Sequence, residues 1–117
     1  MDSKINLGKK TPIALVPPAA IILEAEAMLD GARKYGPFNW RTGPRVSAME
    51  RMSAAMRHIL SWMDGEEAAE DSLVSHLAHA RADLGIVLDA QLCGVLDDDR
   101  PEAGQAAIVL GECTREA

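Results

Sequence analysis

Seven side chains between residues 66 and 83 hold most of the reactive chemistry of this chain: Glu66, Glu67, Glu70, Asp71, His76, His79 and Asp83. Four carboxylates fall within six positions, Glu66 to Asp71. Like charges packed that densely repel, at a cost that a cation among them would turn into binding energy. Glu66 and Glu70 are four apart, Glu67 and Glu70 three apart, Glu67 and Asp71 four apart. If the turn is helical, three or four oxygens face one point, which is what a hard divalent cation takes. Asp83 sits on the following helix, where an antiparallel return brings its carboxylate to the same point. Such a cation would bridge phosphate oxygens, neutralise developing charge and activate a water for attack on phosphorus.

The same residues have a plainer reading. Acidic side chains ahead of a helix favour its positive end, and Asp71 or Ser72 suits an N-cap. An exposed EEAAED is most often a solvated face. His76 and His79 fit packed histidines, and His-x-x-His has no third nitrogen or sulfur ligand in reach for zinc. His58, beside Arg57, suits a structural hydrogen bond or a phosphate contact.

A second concentration lies in KYGPFNWRTGPR, residues 34–45. The chain has four aromatic residues, and Tyr35, Phe38 and Trp40 occupy three of six consecutive positions. Arg33, Lys34, Arg41 and Arg45 surround them. Stacking planes, the amide of Asn39 and cationic side chains are what a purine nucleotide requires. The alternative is an anchored loop whose aromatics plug the end of a bundle.

These groups must be carried by helices. Pro17 and Pro18 suit a helix start, and Ile21, Ile22, Ala25, Met28, Leu29 and Ala32 recur at helical spacing, predicting a first helix from about Pro18 to Arg33. Gly36-Pro37 ends it. A second helix is expected over Val46–Met63, with Met49, Met52, Met56, Ile59, Leu60 and Met63 as its inward stripe and Asp64-Gly65 as its stop. A methionine stripe is far more often core or a helix interface than a cofactor box. A third helix is expected over Ser72–Gly94, with His76, His79 and Asp83 on one seam. Asp99 reads as N-cap and Pro101 as an early position of a fourth helix ending near Leu110. Residues 1–12 read as a flexible arm and PIALVPP as an extended stretch on the core.

The whole is expected to be one all-α domain spanning 1–117, a bundle of about four helices. At 117 residues and 48% hydrophobic content its core is thin, which favours burying a helix face against a second copy. A formal net charge of -6 argues against duplex nucleic acid or an anionic membrane as partner. A nucleotide stays compatible if a divalent cation bridges its phosphates. Cys93 and Cys113 form no C-x-x-C pair and read as reduced thiols of a cytoplasmic protein. No signal peptide or membrane span is apparent.

Four segments, VPP with its following helix, GARKYGPFNW, RHILSW-x-x-GE and HLAH-x-x-x-D, together resemble the MazG-like branch of the all-α nucleoside triphosphate pyrophosphatases. They cover roughly residues 15 to 90. Within that branch they are most similar to the short phage dATP/dGTP diphosphohydrolases of phages that replace adenine with 2-aminoadenine. The resemblance implies hydrolysis of a purine deoxynucleoside triphosphate to monophosphate and pyrophosphate, in phage nucleotide-pool remodelling in the host cytoplasm. It implies two or three Mg or Mn ions, and a dimer or tetramer. The superfamily's E-x-x-E element maps to Glu67 and Glu70, with Glu66 beside it. Of its E-x-x-D element only Asp83 matches, because Ala80 stands at the Glu position; Asp71 or His79 compensates. The implied catalytic residues are Glu67, Glu70 and Asp83, and the implied metal ligands are Glu66, Glu67, Glu70, Asp71 and Asp83. The implied nucleotide clamp is Lys34, Tyr35, Asn39 and Trp40, with His79 as a further substrate contact.

Two other classes compete. An HD-type triphosphohydrolase would release nucleoside and triphosphate, but no His here is followed by Asp. A non-catalytic helical adaptor or nucleotide sensor would bind through the methionine face without turnover.

Overall fold

The computed structural model describes residues 8–115. Three long helices dominate: α1 (Pro18–Tyr35), α3 (Ala48–Met63) and α4 (His76–Leu92). A single-turn α2 (Asn39–Thr42) lies in the aromatic loop, and a short α5 (Ala106–Glu112) follows α4. Two-residue strands β1 (Val46–Ser47) and β2 (Leu96–Asp97) pair in parallel, Val46 opposite Leu96. The chain is all-α, as expected, with that small ladder added.

Local chemistry sets most boundaries. Pro18 opens α1, and Gly36, at φ 88°, closes it by donating its N–H to the Ala32 carbonyl. Ser47 caps α3 by accepting from the Glu50 N–H, and Gly65 at φ 99° follows its end. α4 starts four residues later than expected. Residues 68–75 fold back instead, with Leu73 at φ 61° and an antiparallel bridge from Ala68 to Ser75, so Ser75 becomes the cap. Asp99 does not cap a following helix. It accepts from the Ser47 hydroxyl and from the Met49 N–H at 2.9 Å, completing the start of α3 from across the chain. PIALVPP also departs from expectation: Ile13–Leu15 form a 3-10 turn, and Ile13 is 73% exposed. Of the expected arm, residues 1–7 lie outside the described residues.

α4 packs against α1 and α3 through small side chains. Among the described residues, the buried apolar set is Trp40 and eight alanines, including Ala27 on α1, Ala55 on α3, and Ala78, Ala82 and Ala90 on α4. Alanine lets helix axes approach closely. The larger apolar residues expected to face inward do not: Ile21, Ile22 and Leu29 on α1 and Met49, Met56, Ile59, Leu60 and Met63 on α3 are exposed. Periodicity marks an apolar face without saying what covers it. Among the described residues, no helix is long and apolar enough to cross a membrane.

Candidate functional site

The second half of α1, the aromatic loop, α3 and α4 enclose a cavity of about 460 Å³. That volume falls in the range of small-molecule sites. Lys34, Tyr35, Asn39, Trp40 and His79, the residues expected to meet substrate, all line it. So do Asp71 and Asp83. Glu66, Glu67 and Glu70 do not, and this departs from the expected carboxylate cluster. The reason is local: residues 64–75 are turns and a bridge, not helix, so three- and four-residue spacings stack nothing there. Among the described residues, no three His, Cys, Asp or Glu side chains gather as a metal cage.

Within the acidic turn, Asp71 has a cationic protein partner. The Lys34 ammonium lies 3.1 Å from Asp30 and 3.2 Å from Asp71, tying the acidic turn to α1. These carboxylates, Asp30 first, raise the Lys34 pKa, while Lys34 lowers that of Asp71. Glu66 turns to His76, with its Oε1 3.0 Å from Nε2; the contact is at ion-pair distance but off-line for a hydrogen bond. Glu67 contributes its backbone carbonyl to the His76 N–H.

Asp83 differs from the others. It is 7% exposed and lines the cavity. Its Oδ1 accepts from Arg51 at 3.2 Å, but its Oδ2 is buried with no hydrogen-bond partner. A buried carboxylate oxygen left alone is costly, so it marks a place for a cation or donor.

Above it, Trp40 is buried in the cavity wall, and its indole N–H donates to Asp89 on α4 at 2.7 Å. Phe38 stands 55% exposed at φ 53°, a left-handed conformation that a bulky side chain rarely takes. Its ring lies 5.4 Å from that of Trp40, and the Arg41 guanidinium sits 4.6 Å over its face.

The three histidines cluster where α3 meets α4. His58 stacks on His79 with centroids 4.7 Å apart, and its Nδ1 lies 2.8 Å from His76 Nδ1. His79 Nε2 lies 2.7 Å from the Ser72 hydroxyl. Burial, foremost, and the neighbouring His79 lower the His58 pKa from 6.5.

Sequence reasoning missed Asp30 and Arg51, read His58 as a structural hydrogen bond or a phosphate contact, and counted Phe38 among the loop aromatics without placing it in the clamp. Asp30 and Lys34 stand four apart at the end of α1, a spacing that signals an ion pair on one face. Arg51 carried no comparable signal, because its partner lies 32 residues away.

The cavity thus joins aromatic faces, cations and an unsatisfied carboxylate on a helical scaffold. This chain belongs to the dATP/dGTP diphosphohydrolase N-terminal family, whose model matches residues 3–100. Comparisons with curated proteins and with solved structures find no match.

Proposed function

We propose that the cavity binds a purine deoxynucleoside triphosphate with Mg or Mn, and that the chain hydrolyses it to the monophosphate and pyrophosphate. The observation that carries this reading is the partnerless, buried Asp83 Oδ2 in a cavity lined by nucleotide-compatible groups. The full set of five metal ligands expected from the sequence does not fit the structure. A smaller set does. Mg is commonly held by one or two carboxylates, with substrate phosphates completing its shell. Asp83 would hold the ion, with Asp71 and Asp30 next in the cavity. Such an ion, when bound, neutralises charge on the phosphate oxygens.

The chain's own residues do the rest. Phe38 and Tyr35 offer faces to the base, and the Asn39 amide offers hydrogen bonds. Arg51 orients Asp83 through Oδ1. An open groove of about 1130 Å³ continues from the cavity past Arg45, Arg51 and Arg57. Those guanidiniums suit the phosphate tail.

The working form in this reading is an oligomer. The chain exposes 9463 Å², where a compact monomer of this mass exposes about 6200 Å². Its radius of gyration is 17.2 Å, against about 13 Å for a compact chain of this length. Part of that exposed area is the apolar α3 face of Met56, Ile59, Leu60 and Met63, which a second copy would cover.

Incubation with each deoxynucleoside triphosphate and Mg or Mn, with products separated by chromatography, tests the activity. Monophosphate and pyrophosphate are expected from dGTP and dATP. Triphosphate as product, or nucleotide binding without turnover, would contradict the reading.

A further inference from the structure

One guanidinium stands in two places at once. Arg51 lines the cavity, where it donates to Asp83 Oδ1 at 3.2 Å, and it lines the open groove with Arg45 and Arg57. Among the described residues it is the charged side chain common to both linings. Its hold on Asp83 is half-made. A guanidinium can grip a carboxylate with two parallel N–H donors. Arg41 does so with Asp89, at 2.8 Å to each oxygen. Arg51 meets Asp83 through Nη1 alone and leaves Oδ2 buried without a partner. The Arg51 side chain is 36% exposed against 10% for Asp83, so the arginine is the partner with room to move.

The other cations of the cavity are otherwise engaged. Lys34 is held between Asp30 and Asp71, at 3.1 and 3.2 Å. Burial and the neighbouring His79 lower the His58 pKa more than the Asp83 charge raises it, so His58 is mostly uncharged at neutral pH.

We propose that Arg51 and the divalent cation compete for Asp83, and that the triphosphate settles the competition by drawing Arg51 into the groove. The role rests on the ion site proposed above. A dication on Oδ2 and a guanidinium on Oδ1 would share one carboxylate in a sheltered site, where like charges repel strongly. The groove offers Arg51 phosphate oxygens beside Arg45 and Arg57 instead. Arg51 thus orients Asp83 until the ion arrives and holds phosphate afterwards. It opposes the ion bound alone and favours the nucleotide, so the two ligands help each other through one side chain.

The test uses the full chain and two probes taken singly. Mn without nucleotide is followed by electron paramagnetic resonance, and dGTP in EDTA by calorimetry. Only Mn that wild type binds and Asp83→Asn loses is counted. Arg51→Gln should bind that Mn roughly fivefold or more tightly, and metal-free dGTP weaker by a similar factor. Arg57→Gln, in the groove but not in the cavity lining, should weaken dGTP and leave Mn affinity within about twofold. A merely structural role for Arg51 would not give opposite signs, since damage to the fold weakens both ligands. Wild-type crystals soaked in Mn alone need no variant, and there Arg51 should have left Asp83 Oδ1. Mn affinity unchanged or lowered in Arg51→Gln, metal-free dGTP affinity unchanged, or Arg51 still on Oδ1 beside a bound ion would overturn the exchange and leave the ion site standing. So would an equal gain of Mn affinity in Arg57→Gln, since net charge alone would then explain it. If Asp83→Asn loses no Mn, the ion site and the exchange fall together.

Discussion

Asp89 on α4 accepts the indole N–H of Trp40 at 2.7 Å, and the same carboxylate takes two hydrogen bonds from Arg41, each at 2.8 Å. One acid thus fastens two consecutive residues of the aromatic loop. Trp40 becomes wall, with its polar edge occupied, and Phe38 and Tyr35 are left as the exposed rings.

That fastening responds to acid. Arg41 first, then Trp40, hold the Asp89 carboxyl at about 2, below its ordinary 3.8. A carboxylate with a depressed pKa stabilises the folded loop above 3.8, and the contribution is lost as pH falls towards 2. In a Trp62→Phe background, Trp40 fluorescence should stay constant from neutral pH to about 4 and then change on further acidification. Asp89→Asn should show the altered emission already at neutral pH. It should also weaken nucleotide affinity by roughly tenfold, because the clamp loses its anchor.

Phe38 carries a conformational cost along with its ring. A left-handed backbone at a non-glycine residue costs about 1–3 kcal/mol. Phe38→Gly should therefore hold or raise the melting temperature while weakening affinity for dGTP, since stacking a base on an aromatic ring contributes about 1–3 kcal/mol. Phe38→Ala should lose affinity equally and gain no stability. Thermal melts and titration calorimetry on the two variants separate backbone from ring.

Asp83 and Glu70 divide the cavity from the acidic turn. Asp83→Asn should reduce turnover by roughly a hundredfold or more, the scale of losing one preorganised electrostatic contact. Glu70→Ala, outside the cavity lining, should keep its rate within about threefold of wild type. Steady-state kinetics with Mg and with Mn check both. Loss in Glu70→Ala with Asp83→Asn unharmed would return the site to the turn.

The exposed α3 face leads to a fourth expectation. Wild type should sediment as a dimer or tetramer, and Met56→Asp with Leu60→Asp should shift it to monomer. Both side chains are more than half exposed in the single chain, at 59% and 58%, so charge there should disturb association rather than the packing within one copy. Analytical ultracentrifugation of the two proteins measures this.

What the sequence made legible was chiefly local. Pro18, Gly36 and Gly65 bound helices through their own backbone preferences, and those boundaries fell within about two residues of expectation. Asp99 was misread because its partners, Ser47 and Met49, lie about fifty residues away. The parallel β1–β2 ladder was invisible for the same reason: two residues per strand carry no alternation, and their pairing is set by tertiary packing. The acidic turn shows how a spacing argument fails. Glu67 and Glu70 would share a helical face, but Leu73 in a left-handed conformation and the Ala68–Ser75 bridge deny them the helix. The cavity fared better. Lys34, Tyr35, Asn39 and Trp40 cluster in sequence, so the loop that carries them brings them to one place.

In the proposed reaction, Asp83 is where the divalent cation and the triphosphate meet. Crystals soaked with Mn and a non-hydrolysable dGTP analogue, measured for anomalous scattering, test it most directly. A Mn peak within coordination distance of Asp83 Oδ2, with the purine against Phe38 or Tyr35, is the expected result. A peak confined to Glu67 and Glu70, or nucleotide bound outside the cavity with Asp83 Oδ2 still unpartnered, would contradict it.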